Sequence, residues 1–243
     1  MDPRGRVALV TGAGRRVGRA IAVGLGARGM RVAVHFNGSA EGARETAALI
    51  EKSGSEAQVL PGDLRDPDVA TSLVRAAVDR FGVLDVLVNS AAVMERTPFG
   101  DVTAEQWDAM FALNLRAPFL LSQAAAPELS RREGAIVNIA DLAAFESWPA
   151  YVPHGITKAG VVQMTRALAR VLAPRVRVNA IAPGAVLLPD DWDEKSRDHL
   201  IETTPLRRLG SPDDVARAVV YLVEADYVTG DTLFVDGGRH VRC

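Results

Sequence analysis

Strand-like and helix-like segments alternate along this chain from its first residues, and the alternation restricts the folds that it can adopt. Short runs rich in β-branched residues recur, and amphipathic segments separate them. The strand-like runs are RVALVTG, RVAVHF, AQVLPGD, LDVLVNSA, GAIVNIA, VRVNAIAPG and TLFVDGG. The clearest helical patterns cover residues 16–28, 40–53, 66–81, 103–128 and 161–172.

This order of elements is typical of a mainly parallel sheet with helices on both faces. Because crossovers between parallel strands are right-handed, the sheet should be doubly wound, with a ligand crevice at the carboxyl ends of its strands. We therefore predict an α/β fold, a Rossmann-like sheet of about seven strands, and functional residues placed directly after strands.

The length and composition indicate one globular domain and argue against several classes of partner. A chain of 243 residues, with 48% hydrophobic and 24% charged residues, predicts a single domain over 1–243. The net charge of −2 gives no basic excess for nucleic acid or an anionic membrane, and no 18-residue uncharged apolar run occurs. We expect small-molecule partners or further copies of the chain.

The single cysteine, Cys243, allows no intrachain disulfide and no thiolate metal cluster. We therefore expect no metal site and a reducing, cytoplasmic location. Residues 187–214 form one irregular, charged stretch with prolines near its two ends. This stretch is either a solvated surface excursion or a substrate lid over the crevice.

The segment VALVTGAGRRVGRA (residues 7–20) predicts a buried strand, a tight turn and the start of a helix. Gly12 can adopt backbone angles closed to other residues, and Gly18 lets the helix approach the strand closely. Free N–H groups at the helix start then suit a pyrophosphate. The turn predicts a dinucleotide site.

Over its whole length the chain resembles the short-chain dehydrogenase/reductase family, whose first turn reads TGxxxGxG. The matching motifs are TGAGRRVG (residues 11–18), GDL (62–64), VNSAA (88–92), Asn114, NIAD (138–141), Lys158, APG (182–184) and the closing FVDGG. Arg16 stands at the usual middle glycine, and Asp141 stands at the usual serine. These two residues, with NLRAPFLL after Asn114, are similar to the pteridine reductase branch of the family.

The second strand indicates which nicotinamide coenzyme to expect. NAD-specific enzymes place a carboxylate after this strand, whereas RVAVHFNGSAEG has none before Glu41. The resemblance implies a phosphate site at His35, Asn37 and Ser39, joined by Arg15, although Gly38 replaces an expected arginine. NADP(H) is therefore favoured over NAD(H). The remaining cofactor-binding residues that the resemblance implies are Gly12, Arg16, Val17, Gly18, Asp63, Leu64, Asn89, Ala91, Lys158, Pro183 and Gly184.

The family resemblance implies a proton-relay site whose usual tyrosine is here His154, four residues before Lys158. Asp141 precedes His154 by thirteen residues, the family's serine-to-tyrosine interval, so the register is kept and the tyrosine is replaced. The catalytic set expected is Asn114, Asp141, His154 and Lys158. Imidazole suits proton transfer near neutrality, but it reaches about 2 Å less far than a phenol, so a direct bond needs a shift or a water.

Three interpretations stay open at this point. The chain is an NADPH-dependent reductase with the altered Asp141/His154 pair, acting on a pterin, imine or carbonyl compound. In the second interpretation, it is an enzyme that catalyses a different reaction and uses His154 as acid or base. In the third, it is a cofactor-binding protein with little turnover. The resemblance further implies a homotetramer with contacts along residues 103–128 and 153–172.

Overall fold

The structure is a computed structural model that describes residues 1–188 and 193–241. Its strands are β1 (Val7–Val10), β2 (Arg31–Phe36), β3 (Ala57–Pro61), β4 (Val86–Asn89), β5 (Ala135–Ile139), β6 (Arg177–Pro183) and β7 (Thr232–Val235). Its α-helices are α1 (Arg16–Ala27), α2 (Ala40–Lys52), α3 (Pro67–Phe81), α4 (Ala104–Phe111), α5 (Ala117–Arg132), α6 (Val152–Leu172), α7 (Glu194–Thr203) and α8 (Pro212–Glu224).

The seven strands form one parallel sheet in the order β3-β2-β1-β4-β5-β6-β7. The chain winds outward from β1 to β3, returns beside β1 as β4, and then winds the other way. The prediction of a doubly wound, Rossmann-like sheet of seven strands is confirmed. The reversal between β1 and β4 opens the crevice where such sheets bind ligands.

Two hydrophobic layers, one on each face of the sheet, hold the helices in place. One layer packs α1, α2 and α8 against the sheet, with Ile21, Leu25, Ile50 and Val219 fully buried. The other layer packs α3 and α5 against the opposite face. Because both faces are covered, the strands β1, β4 and β5 are buried throughout.

The single helix expected over 103–128 is interrupted by a π-helical segment, Ala112–Arg116. Pro118 has no N–H to donate to the carbonyl of Asn114, so regular α-helical bonding cannot pass this point. The Ala117 N–H bonds instead to the Ala112 carbonyl, five residues back. Asn114 lies in the middle of this wider turn, a geometry that is frequent at functional sites.

The stretch expected as a surface excursion or lid contains α7, and its residues 189–192 lie outside the described residues, as does Cys243. Two backbone bonds tie its second half to the sheet: Leu206 N–H to Gly237 O, 3.1 Å, and Gly210 N–H to Ala185 O, 3.0 Å. Within the described ranges, no helix is long and apolar enough to cross a membrane.

Candidate active site

The glycine-rich turn after β1 is as tight as the sequence predicts. Gly12 has φ +66°, and a Cβ on it would lie 2.9 Å from the Cα of Ala91. A Cβ on Gly18 would lie 2.2 Å from the carbonyl oxygen of Gly12, so α1 packs directly on the turn. Neither position tolerates a side chain.

The start of α1 suits an anion. Arg15 at the N-cap has an extended backbone and no side-chain bond to the helix, and the first turn contains no acidic residue. The first N–H groups of a helix lack partners within it and carry the positive end of its dipole. Arg15 and Arg16 are exposed beside these groups, and Val17 is half-buried.

His35 is expected to bind the phosphate of the coenzyme, but its ring nitrogens contact backbone groups of the protein instead. The residue is only 2% exposed, its Nδ1 accepts from the Gly12 N–H at 3.2 Å, and its Nε2 lies 3.0 Å from the carbonyl oxygen of Gly62. Both ring nitrogens therefore have backbone partners. The structure corrects the expected direct role: His35 supports the turn and offers no free nitrogen to a ligand.

The other residues expected around the adenosine lie along the ends of β2 and β3. Asn37 is exposed, and Ser39 caps α2 without a side-chain bond to it. Asp63 is held by Arg65, whose Nη2 lies 2.6 Å from its Oδ2, and this hydrogen bonding lowers the pKa of Asp63 to about 2. The Asn37 side chain also bonds Asp63. Leu64 is buried below them.

Asn89 and Ala91, at the end of β4, are fixed by buried polar groups. The Asn89 amide nitrogen donates to Asn138 Oδ1 at 2.8 Å, which ties β4 to β5. Thr11 Oγ1 accepts from the Ala91 N–H at 3.1 Å and from the Ser90 N–H at 2.9 Å. This hydroxyl therefore positions the β4 turn against the glycine-rich turn.

Pro183 and Gly184 lie at the end of β6. Pro183 pairs in register with Val235 of β7, and Gly184 follows it. A Cβ on Gly184 would lie 2.8 Å from the Cα of Asp236, so the chain leaves the sheet at this point through a space that only glycine fits. The residues at the carboxyl ends of β1, β2, β3, β4 and β6 thus lie at one edge of the parallel sheet.

Helix α6 presents His154 and Lys158 one turn apart, on the side that faces β5. His154 is 2% exposed, and its Nε2 lies 3.7 Å from Asp141 Oδ2. Asp141, directly after β5, accepts the Ala143 N–H at 2.8 Å through its other oxygen. A side-chain carboxylate is thereby held close to the imidazole of His154.

Two further contacts fix the imidazole of His154. Its Nδ1 lies 3.2 Å from the carbonyl oxygen of Val93, which can only accept, and 3.5 Å from Asn114 Nδ2, which can only donate. The carbonyl is the nearer partner, so we assign the proton to Nδ1. Asn114 in turn holds Val93, accepting its N–H at 2.9 Å and donating to its carbonyl at 2.8 Å. The Nε2 is buried and has no hydrogen-bond partner among the described residues. It is the nitrogen left for proton transfer.

Lys158 is 4% exposed, and its ammonium donates to the Ile139 carbonyl at 2.8 Å. Burial lowers the pKa of Lys158 to about 8, and the charge of Asp141 acts in the opposite direction. The four residues expected as catalytic are therefore gathered around the end of β5. The sequence reasoning missed the Val93 carbonyl, because a backbone group leaves no signal in residue type.

The comparisons with known proteins agree with this fold. The family model described as enoyl-(acyl carrier protein) reductase matches residues 12–240. A protein named ketoacyl reductase 2 of the granaticin polyketide synthase, from Streptomyces violaceoruber, is 38% identical over 98% of both chains. The 3-oxoacyl-[acyl-carrier-protein] reductase FabG of Staphylococcus aureus is 35% identical over 96% of this chain and 98% of its own.

A crystal structure described as a short-chain alcohol dehydrogenase of Sinorhizobium meliloti superposes with a TM-score of 0.94. That chain is 40% identical, and the match covers 99% of this chain and 98% of the other. With a matching family model and relatives above 30% identity over nearly the whole length, the chain belongs to the short-chain dehydrogenase/reductase family of oxidoreductases.

Proposed function

We propose that the protein is an NADP(H)-dependent oxidoreductase in which Asp141 and His154 replace the family's serine and tyrosine. One observation carries the proposal: the unpartnered Nε2 of a buried His154 lies 3.7 Å from Asp141 Oδ2, one helical turn from Lys158. The imidazole of His154, the carboxylate of Asp141 and the buried ammonium of Lys158 therefore form one cluster. The carboxylate attracts a proton-carrying, charged imidazole, which is the proton donor.

The residues present fit a dinucleotide. The turn at Gly12 and Gly18 and the uncapped start of α1 would hold the pyrophosphate, while Asp63 and Leu64 would flank the adenine. Asn89, Ala91, Pro183, Gly184 and Lys158 would hold the nicotinamide riboside. When bound, the reduced coenzyme supplies a hydride.

The preference for NADP(H) over NAD(H) rests on charge. β2 ends without a carboxylate, and the residues beside α1 are the exposed Arg15 and Arg16, with Asn37 and Ser39 across from them. A 2′-phosphate would meet positive charge and hydrogen-bond donors there rather than the repulsion of an acidic residue. Because the His35 nitrogens are occupied, the arginines carry this preference.

The proton comes from this chain's own residues. His154 in its charged form donates the Nε2 proton to the substrate heteroatom through a bridging water or after a shift of the ring, because its Nε2 is buried and the imidazole is shorter than a phenol. The ring is left neutral, with its Nδ1–H on the Val93 carbonyl. Asp141 stabilises the charged imidazole and, being about a quarter exposed at its side chain, connects it with solvent for reprotonation. Lys158 opposes that charge and anchors the ribose.

The substrate we propose is a pterin, an imine or a carbonyl compound. An ionised Asp141 only accepts hydrogen bonds, whereas a serine there would also donate, so a substrate with an N–H beside the reacting carbon fits best. This adds to the resemblance of Arg16, Asp141 and the NLRAPFLL segment, on which the pteridine reductase-like assignment rests. The names of the ketoacyl reductase relatives favour a simple carbonyl as the second candidate.

The test is NADPH oxidation with a dihydropterin and an activated ketone, monitored by absorbance. We expect His154→Gln to lower kcat about 10²–10⁴-fold and Asp141→Ala and Lys158→Ala to lower it at least tenfold. Glu51→Gln, at the exposed end of α2 away from the site, should leave kcat unchanged. Unchanged rates in Asp141→Ala and Lys158→Ala would remove the assignment. If wild type binds the coenzyme without turnover, and His154→Tyr gains activity, the chain is a binding protein instead. If wild type turns over and both His154→Gln and His154→Tyr lose that turnover, a different acid–base reaction that uses His154 is indicated.

The remaining features of the proposal concern the whole protein. We propose one domain over 1–243, a homotetramer built on the α4–α5 and α6 faces, and a cytoplasmic location. We also propose that the described part of the predicted lid, within residues 187–214, covers the crevice. The backbone bonds from this stretch to Gly237 and Ala185 support the last point, since they anchor its second half beside the ends of β6 and β7.

A further inference from the structure

We infer that His35 is a positioning residue, a neutral imidazole that clasps the phosphate-binding turn to the loop after β3 and makes coenzyme affinity fall in acid. The inference rests on the proposed dinucleotide site, because the turn it holds is the one that would take the pyrophosphate. It concerns a side chain that does not itself touch the ligand.

Three successive N–H groups of the turn show why a side chain is needed there. The Thr11 N–H donates to the Val88 carbonyl at 3.0 Å, and the Ala13 N–H donates to the His35 carbonyl at 2.8 Å. The Gly12 N–H between them has no backbone acceptor among these contacts, and His35 Nδ1 receives it at 3.2 Å. The imidazole thus completes the hydrogen bonding of a turn whose φ of +66° leaves the sheet ladder.

The same ring reaches the neighbouring loop. Its Nε2 lies 3.0 Å from the Gly62 carbonyl, directly before Asp63. Since the Gly12 N–H can only donate and the Gly62 carbonyl can only accept, the contacts assign the neutral tautomer with the proton on Nε2. One side chain therefore ties the pyrophosphate turn to the loop expected at the adenine.

Protonation would break this clasp, because the imidazolium carries a hydrogen on Nδ1 that would face the Gly12 N–H. Burial lowers the pKa of His35, while its bond to Gly62 and the charge of Asp63 oppose this. Asp63 is itself paired with Arg65, and the nearby Arg19 is bonded to Gly14, Gly42 and Glu45. With both charged neighbours paired, burial remains the largest influence on the pKa of the ring.

The direction of the pH effect follows from the lowered value. The folded protein binds a proton at His35 less readily than the unfolded chain, whose imidazole titrates near 6.5. The clasp is therefore fully present above about pH 6.5 and is lost as the pH falls from there through the lower folded-state value. Coenzyme affinity should follow the same course.

The experiment measures NADP⁺ and NAD⁺ dissociation constants by calorimetry at about pH 8 and about pH 5.5. His35→Asn keeps an acceptor for the Gly12 N–H that cannot titrate, and His35→Leu removes both contacts. Glu51→Gln, an exposed residue at the end of α2 away from the site, is the control. Comparing variants on one coenzyme cancels the titration of the 2′-phosphate. A second readout is the ¹⁵N spectrum of the four histidines in the coenzyme-free protein.

We expect wild type and Glu51→Gln to lose more affinity on acidification than His35→Asn does, by a factor below about ten because the lowered pKa leaves the ring only partly protonated at about pH 5.5. We expect His35→Leu to bind weakly at both pH values. We also expect the Nε2–H tautomer for His35 above pH 7. The inference would be overturned if His35→Asn lost as much coenzyme affinity on acidification as wild type, or if His35 carried its proton on Nδ1 above pH 7. If wild type binds neither coenzyme at any pH, the proposed function fails, and the ¹⁵N tautomer alone then decides whether the clasp exists. Should His35→Leu not fold, the asparagine variant and the spectrum still decide.

Discussion

At the scale of single residues, Arg16 combines a backbone cost with a charge that the proposed ligand needs. It has φ +53° at the position where the family's turn has a glycine, and its side chain is exposed. A left-handed conformation costs a non-glycine residue about 1 kcal/mol or more. Such a cost persists at functional sites when the side chain contributes something that glycine cannot, here a cation beside the start of α1.

We therefore expect Arg16→Gly to raise the free energy of unfolding by about 0.5–1 kcal/mol while weakening NADPH binding about three- to tenfold. NADH binding should change less, because it lacks the 2′-phosphate. Denaturant unfolding and coenzyme titration measure the two effects.

Glu133→Gly is the matched control for the Arg16 variant. Glu133 is also left-handed, with φ +52°, and lies just beyond the last turn of α5, before the amino end of β5. It should gain similar stability with no change in coenzyme affinity. A loss of NADPH affinity in both variants, or in neither, would contradict the role of Arg16.

At the scale of elements, the order of strands and helices was predictable because buried strands and amphipathic helices have different periods in the sequence. The π-helical segment at 112–116 was not predicted, although Pro118 was the available signal. The start of α6 at Val152 lies before the clear amphipathic pattern at 161–172, since its first turns are buried on the side that carries His154 and Lys158. Polar residues, His154, Thr157 and Lys158, there occupy the buried face of the helix, where apolar residues are usual.

The candidate site was predictable only where a side chain itself carries the chemistry. The family resemblance implied Asp141, His154, Lys158 and Asn114, and the structure brings them together at the end of β5. His35 was misassigned because its backbone partners, Gly12 and Gly62, become neighbours only when β1, β2 and β3 align. Contacts between a side chain and a distant backbone group follow from the register of strands, which residue types do not specify.

The opposite edge of the sheet depends on one buried carboxylate, Asp85, at the amino end of β4. It is fully buried and accepts hydrogen bonds from Arg6 at 2.7 Å, Arg132 at 3.0 Å and the Val7 N–H at 2.9 Å. These partners come from the start of β1 and the end of α5. Asp85 thus fastens three elements at the edge away from the candidate site.

We expect Asp85→Ala to lower the free energy of unfolding by about 3 kcal/mol, because two arginines and a backbone N–H lose a buried acceptor. Chemical denaturation measures this. The control is Glu56→Ala, which breaks the exposed pair with Arg80 and should cost less than about 1 kcal/mol. Coenzyme affinity of the folded Asp85→Ala protein should stay within about twofold of wild type, and a loss comparable to that of a site variant would refute the separation of the two edges.

At the scale of the whole molecule, stability and ligand binding are divided between the two ends of the strands. The amino ends carry the Asp85 cluster, and the carboxyl ends carry the glycine-rich turn, the His35 contacts and the Asp141/His154 pair. The π-helical segment that holds Asn114 also lines an apolar groove on the molecular surface, together with residues of α4, α5 and α6. We expect this groove to form a contact between subunits.

The groove has a volume of about 630 Å³ and is lined by Phe111, Ala112, Leu115, Phe119 and Met164, with Asp108 and Arg116 also bordering it. Phe119 is 46% exposed, and Trp107 stacks on Phe111 at 4.3 Å on the same surface. A contiguous apolar surface of this kind is typical of a protein–protein contact. In the proposed homotetramer this face lies between subunits.

We expect Phe119→Glu to break that contact, since a charge would be buried against apolar side chains and, across a twofold axis, would approach its own copy. Light scattering coupled to size exclusion should give about four times the chain mass of 25.9 kDa for wild type and a smaller species for the variant. Tyr227→Glu, at a fully exposed tyrosine before β7, is the control and should remain assembled. A wild-type mass of one chain would refute the tetramer. An unchanged mass in Phe119→Glu would place the contact elsewhere. Because Asn114 lies on the π-helical segment next to this face, loss of assembly should also lower coenzyme-dependent activity.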